Sequence, residues 1–174
     1  SSKFGTNNRF GHFPSVSAGW VLTQEDFFPS DGIVKFLKFR GSWGISGNDR
    51  INDHLFLALV RGGRSYTFGV NDNLVNGVAP SEADNPDLRW EETEQFNIGL
   101  DSRLFRHFSL TVDYFEKTSH GILNIEEVPG LFGVGSPTGN VAKLNNKGFE
   151  VELGYNNKAG QLNIEFDGNI SYVK

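Results

Sequence analysis

The 174-residue chain contains no cysteine and no methionine. Without cysteine it builds no disulfide framework, no zinc–thiolate centre and no thiol nucleophile. Basic residues are also in short supply: 16 Lys and Arg against 21 Asp and Glu leave a net charge of −5. Nucleic-acid affinity draws chiefly on Lys and Arg against phosphates, so that partner class is excluded. No basic run addresses an anionic membrane surface either. Long apolar runs are missing. The longest are of the type Leu55-Phe56-Leu57-Ala58-Leu59-Val60, far short of the ~18–20 residues of a membrane helix. No signal-peptide pattern opens the sequence. A helical membrane protein is thereby excluded. A membrane barrel is not, because its strands alternate and average out as polar.

What is present is glycine, phenylalanine and a period of two. Leu162, Ile164, Phe166, Ile170 and Tyr172 alternate with Gln161, Asn163, Glu165, Asp167, Asn169 and Ser171. Successive strand side chains point to opposite faces, so one face is apolar and the other polar. Phe149, Val151, Leu153 and Tyr155 alternate with Glu150, Glu152, Gly154 and Asn156 in the same way, which puts Tyr155 and Glu152 on opposite faces. Further alternating segments run through Phe108–Tyr114, Phe96–Leu100, Leu37–Trp43 and Val16–Leu22; Phe115 breaks the rule. These predict an all-β, antiparallel up-and-down meander of six strands near 15–22, 37–45, 94–102, 108–117, 148–156 and 161–172. No helix is expected beyond a turn near Thr23 to Phe28.

Strands of about ten residues, tilted ~40°, rise roughly 25 Å, the height of an outer-membrane barrel's apolar band. The connections sort as well. Those at 103–107 and 157–160 are short and that at 23–36 is intermediate, whereas those at 47–89 and 118–147 are long and fall at the opposite end. Short turns on one side and long loops on the other suit a membrane barrel. Trp20, Trp90, Tyr114, Tyr155 and Tyr172 lie near strand ends, as interfacial girdles or as ordinary core residues. Alternation by itself also fits a soluble antiparallel sheet with one wet face.

Candidate chemistry is thin. Glu150 and Glu152 share a strand face with Glu165 and Asp167. Paired carboxylates serve glycoside hydrolysis, but a water-filled lumen demands the same residues. His12, His54, His107 and His120 lack metal-ligand spacing, and Glu91, Glu92 and Glu94 lack the spaced oxygens of a calcium loop. No cofactor is expected. Gly62-Gly63-Arg64 and Gly133-Val134-Gly135 lack the ending of a phosphate loop. Ligand contacts concentrate on loops, which singles out His54, Phe56, Arg61, Arg64, Tyr66 and Phe68 as candidate glycan or peptide contacts. The run Leu55 to Val60 is expected to pack against neighbouring loops or a partner.

Particular words of the sequence carry more than its period. Arg9-Phe10-Gly11 with Phe13-Pro14-Ser15-Val16-Ser17-Ala18-Gly19-Trp20, then Leu37-Lys38-Phe39-Arg40-Gly41-Ser42-Trp43-Gly44 and Gly47-Asn48, open the series. Asn85-Pro86-Asp87-Leu88-Arg89-Trp90-Glu91 follows, with Thr93, Gln95 and Asn97-Ile98-Gly99-Leu100-Asp101. Val112-Asp113-Tyr114-Phe115, Lys117-Thr118, Asn140-Val141, Asn145, Lys147-Gly148-Phe149-Glu150 and Gly168-Asn169-Ile170-Ser171-Tyr172 complete it. In this order the words resemble the C-terminal half of the barrel in the SusC/RagA family of TonB-dependent outer-membrane receptors.

The resemblance implies that residues 1–174 are a partial receptor barrel, without plug domain, signal peptide and the remaining strands of a 22-stranded wall. It implies a non-enzymatic nutrient importer in the outer membrane of a Gram-negative bacterium. Its partners would be a SusD-like lipoprotein, TonB through the absent N-terminal part, outer-membrane lipid and a glycan or peptide substrate. The alternative readings are a soluble glycan-binding β-domain and a glycosidase.

Overall fold

The computed structural model describes residues 3–29, 32–53, 55–63, 65–69 and 73–174. Phenylalanine and β-branched residues at every second position favour pleated, half-covered backbone, and the chain is almost wholly strand and turn. Among the described residues ten strands occur: β1 (Ser15–Val21), β2 (Val34–Asn48), β3 (Val60–Gly62), β4 (Tyr66–Phe68), β5 (Asn73–Val75), β6 (Val78–Pro80), β7 (Glu91–Leu104), β8 (Phe108–Ile125), β9 (Thr138–Ala159) and β10 (Leu162–Val173). Six of them form one antiparallel sheet in the order β1-β2-β7-β8-β9-β10. This is the expected meander, interrupted only by the four short strands between β2 and β7. Short 3-10 turns at Leu22–Gln24 and elsewhere are the helical content among the described residues.

The Cα framework divides into two compact units. One comprises Phe13–Ser46, Thr93–Thr118 and Asn145–Lys174, and the other Ser1–His12, Gly47–Glu92 and Ser119–Leu144.

In the first unit the register preserves the alternation read from the sequence. Phe166 pairs with Tyr155, Ile170 with Val151 and Tyr172 with Phe149, while Glu165, Asp167, Asn169 and Ser171 pair with Asn156, Gly154, Glu152 and Glu150. Val16 pairs with Trp43 and Trp20 with Phe39, while Ser17 pairs with Ser42 and Gly19 with Arg40. Paired residues of an antiparallel ladder project to the same side, so each strand pair has one apolar and one polar face. The turns are tight. Phe105–His107 joins β7 to β8, with positive φ at Phe105 (50°) and Arg106 (68°) and a bond from His107 N–H to Leu104 O. Gly160, at φ 63°, opens the turn between β9 and β10.

The second unit has its own small core. Phe4 and Leu88 are fully buried. Trp90 stacks on Phe4 at 5.0 Å and donates its indole N–H to Asn8 O. Trp90 is therefore a core residue and not a girdle residue.

The two long connections differ from expectation. The 47–89 segment contains a nested hairpin in which β3 pairs with β6 and β4 with β5. Part of the 118–147 segment is strand, because β8 extends to Ile125 and β9 begins at Thr138. Residues Ile122-Leu123-Asn124-Ile125 do not alternate. Backbone pairing requires only a partner strand, whereas alternation requires one apolar and one wet surround. Length that reads as loop is thus strand overhang, and the connection at 126–137 is no longer than that at 22–33.

Candidate functional site

The apolar face of the sheet is uncovered. Val16 is 63% exposed, Trp20 51%, Ile98 50%, Leu153 54%, Phe166 68% and Ile170 65%. These are the residues that the alternation assigns to one side. Side chains of this size are left open on a contiguous face only where another apolar medium covers them. The band has polar edges. Trp43 donates its indole N–H to Glu94 at 2.7 Å, and Asn145 donates to Glu116 at 3.1 Å and to Thr118 at 2.6 Å. Near the short turns, Trp20 donates to Glu25 at 2.8 Å and lies edge-on to Phe27, and Phe108 lies 4.9 Å from Tyr155. Glu94 therefore serves as an indole acceptor rather than as part of a cation site.

The opposite face is a polar wall. Arg40 reaches from β2 to Asp101 on β7 (3.1 Å) and to Asp113 on β8 (2.7 Å). It spans two strands because Gly99 lies beneath it. A Cβ at Gly99 would sit 2.6 Å from Arg40 Cζ and 2.5 Å from Asp113 Oδ1. Phe115, the exception to the alternation, points to this polar side. Its ring occupies the space over Gly148, where a Cβ would meet Cζ at 2.9 Å. Asn97 donates to Ser42 at 3.1 Å. Glu150, Glu152, Glu165 and Asp167 share the wall, as expected, in paired register positions along β9 and β10.

Of the six residues singled out as ligand contacts, the side chains of three, Phe56, Arg61 and Tyr66, are described. His54 and Arg64 lie outside the described residues, and of Phe68 only the backbone, in β4, is described. Arg61 stands on β3 and pairs with Glu82 at 3.4 Å. Tyr66 on β4 is 68% exposed. Half-buried Phe56 precedes the hairpin and lines a cleft with Gly5, Thr6, Asn7, Asp84 and Pro86. His12, His107 and His120 are scattered on the surface. No group of three or more metal-binding side chains occurs among the described residues.

A polar cluster in the second unit is absent from that set. Asn85 donates to Thr138 O at 2.9 Å and Asn8 to Leu88 O at 3.2 Å. Asn140 accepts the Arg89 N–H at 3.0 Å and donates to Arg89 O and Gly121 O, each at 2.8 Å. Its signal in the sequence is the pair of words Asn85–Glu91 and Asn140-Val141, which the tertiary structure joins 51 residues apart.

An antiparallel meander with one exposed apolar face, one polar face and aromatic edges is a segment of a large membrane β-barrel. The whole chain, residues 1–174, matches the family model described as TonB dependent receptor-like, beta-barrel, and the chain belongs to that family. It is 39% identical over 154 residues to TonB-dependent receptor P39 of Formosa agariphila, covering 88% of this chain and 14% of that protein. It is 34% identical over 180 residues to TonB-dependent receptor SusC of Bacteroides thetaiotaomicron, covering 99% of this chain and 17% of that protein. Among solved structures it is similar to the RagAB peptide importer in its open-open state, with a TM-score of 0.84 and 27% identity over 99% of this chain and 18% of that one. The chain spans 14–17% of the length of the curated relatives it matches.

Proposed function

We propose that this chain forms part of the barrel wall of an energy-coupled importer in the outer membrane of a Gram-negative bacterium. In this reading the rest of the receptor supplies the signal peptide, the plug domain, the remaining strands and the contact with TonB. The cargo is a nutrient, glycan or peptide, and a SusD-like surface lipoprotein acts as partner. The observation that carries the reading is the exposed apolar face opposite a charged one. Lipid suits the first and a wet lumen the second, and a soluble glycan-binding domain leaves the apolar face without a medium. The acidic residues of β9 and β10 then serve as lumen lining, and the chain carries no catalytic step. Deleting the gene of the receptor that contains this chain should abolish growth on its nutrient, and collapsing the proton-motive force should mimic the deletion. Unchanged growth on glycan and peptide sources alike would overturn the importer reading.

The nested hairpin supports the partner assignment. Val60, Tyr66, Leu74 and Val78 are 60%, 68%, 69% and 73% exposed there, and exposed apolar groups clustered on one element mark contacts. Replacing Leu74 and Val78 together with Ser should lower co-purification of the lipoprotein several-fold while leaving barrel folding unchanged. Full retention of the lipoprotein by the double variant would refute the assignment of this hairpin as its docking element.

A further inference from the structure

A groove of about 590 Å³ runs along the exposed apolar face over β8, β9 and β10. Phe108, Tyr155 and Phe166 stand at one end and Val151 and Ile170 at the other, with Gly168 and Leu153 paired between them. Gly168 makes the hollow. It takes an apolar-face position, yet a Cβ there would meet nothing within 4 Å, and its φ lies outside the left-handed region. Gly99 and Gly148 each make room for a neighbouring side chain, and Gly160 serves a turn. Among the described residues nothing requires glycine at 168 in these ways, and such a strand-interior glycine often marks close approach by a ligand. The groove ends in polar groups. The Tyr155 hydroxyl accepts from the Asn157 amide at 3.2 Å and keeps its own proton to donate. His107 lies 6.4 Å from the Tyr155 ring, its Nδ1 held 3.1 Å from Asn156 O. Arg106 stands on the same turn, exposed and without an ion-pair partner among the described residues. At its φ of 68° glycine would be less strained, so the turn itself does not call for arginine. Residues 102–112 and 153–164 contain Arg103, Arg106 and Lys158 and no carboxylate.

We propose that this groove holds one acyl chain of an acidic phospholipid, whose phosphate is met by Arg106 and the Tyr155 hydroxyl. The run from Tyr155 to Val151 covers roughly 13 Å at ~3.3 Å per residue, comparable with one leaflet's half of the ~30 Å hydrocarbon core. A guanidinium binds phosphate through paired, charge-assisted hydrogen bonds. The headgroup is acidic because the ammonium of a zwitterionic one finds no carboxylate in the two segments at this edge, to which Arg103 and Lys158 add positive potential. The polar end of the groove lies at the short turns, the periplasmic side of such barrels. A protein partner fits less well, because the hollow is one glycine wide and continuous with the lipid-facing side of the sheet. The proposal rests on the barrel-wall reading and adds to it a particular lipid at a particular place.

The test uses the full-length receptor containing this chain, folded into vesicles of equal phosphatidylglycerol and phosphatidylcholine, with p-benzoylphenylalanine in place of Phe166. Mass spectrometry after irradiation reads which lipid is attached. Phosphatidylglycerol adducts should exceed phosphatidylcholine adducts about fivefold, as a charge-assisted contact allows. The same photoprobe in place of Val16, on the apolar face of β1, should show no preference. Arg106→Gln removes the charge, and Gly168→Leu fills the hollow; each should abolish the preference at Phe166. Heat-modifiable gel mobility should show both variants folded. Equal adducts in the parent, or a preference that survives either substitution, would overturn the proposal. So would misfolding of Gly168→Leu, which would mean that a further strand packs into the hollow. Lipid adducts at Val16 without a preference at Phe166 sink this proposal alone, whereas no lipid adduct at either position sinks the barrel-wall reading with it.

Discussion

Two glycines show how single residues shape the polar wall. Gly99 and Gly148 sit in strand interiors, where glycine is ordinarily unfavourable, and each makes room for a side chain from a neighbouring strand. Gly99→Val should displace the Arg40 bridge and cost about 1–3 kcal/mol, the usual range for overpacking. The loss should shrink in an Arg40→Ala background, since the displaced group is then gone. Urea titration of the barrel in lipid vesicles would measure both, and an undiminished cost in the double variant would show that Arg40 is not what Gly99 accommodates. The turn at Phe105–His107 holds two non-glycine residues at positive φ, a conformation that costs bulky side chains roughly 1 kcal/mol or more. It persists because Phe105 N–H bonds Ile33 O, and His107 O accepts from Asn156 N–H. Arg106→Gly should therefore raise stability by roughly 0.5–1 kcal/mol. A loss of stability on the same titration would mean that the Arg106 side chain contributes more than its backbone strain costs.

At the scale of the element, each long strand separates two solvents. Ile98 and Asn97 are neighbours on β7, one on the exposed apolar face and one bonded to Ser42 on the polar face. Ile98→Arg should destabilise insertion by about 2–4 kcal/mol, the cost of a cation near the bilayer midplane. Asn97→Arg should be nearly neutral, because its surroundings are wet. Vesicle-folding yields of the two variants would check this, and equal losses would contradict the assignment of faces. The extended ends of β8 and β9 follow different rules. Both remain strand where alternation stops, because backbone pairing requires only a partner strand. Asn140 bridges to Gly121 there, where φ is 62° and a side chain would be strained.

For the whole molecule, the decisive feature is that the six-stranded sheet is open. Among the described residues β1 and β10 each have a strand neighbour on one side only, and unpaired edges recruit other strands. Expressed alone in dilute buffer, residues 1–174 should self-associate through these edges and the exposed apolar face, and detergent should reduce the association. Light scattering that reports a clean monomer without detergent would show that the edges and the face are covered in some other way. Closure needs further strands with a matching stagger. This agrees with a chain that spans a small fraction of the length of its relatives.

The number of long strands, their order and the two faces of each were determined by sequence alone. A period of two is imposed on every residue by the pleat, and a lipid–water contrast leaves it unblurred. The site was less legible. Loop residues such as Arg61 and Tyr66 were visible as chemistry, but nothing in their spacing says whether they meet. Only the tertiary structure put Trp90 into a core with Phe4 and Leu88, turned Phe115 over Gly148, and joined Asn85 and Arg89 to Thr138 and Asn140 across some fifty residues. Those outcomes depend on bonds and contacts between segments remote in the chain, which no local period encodes.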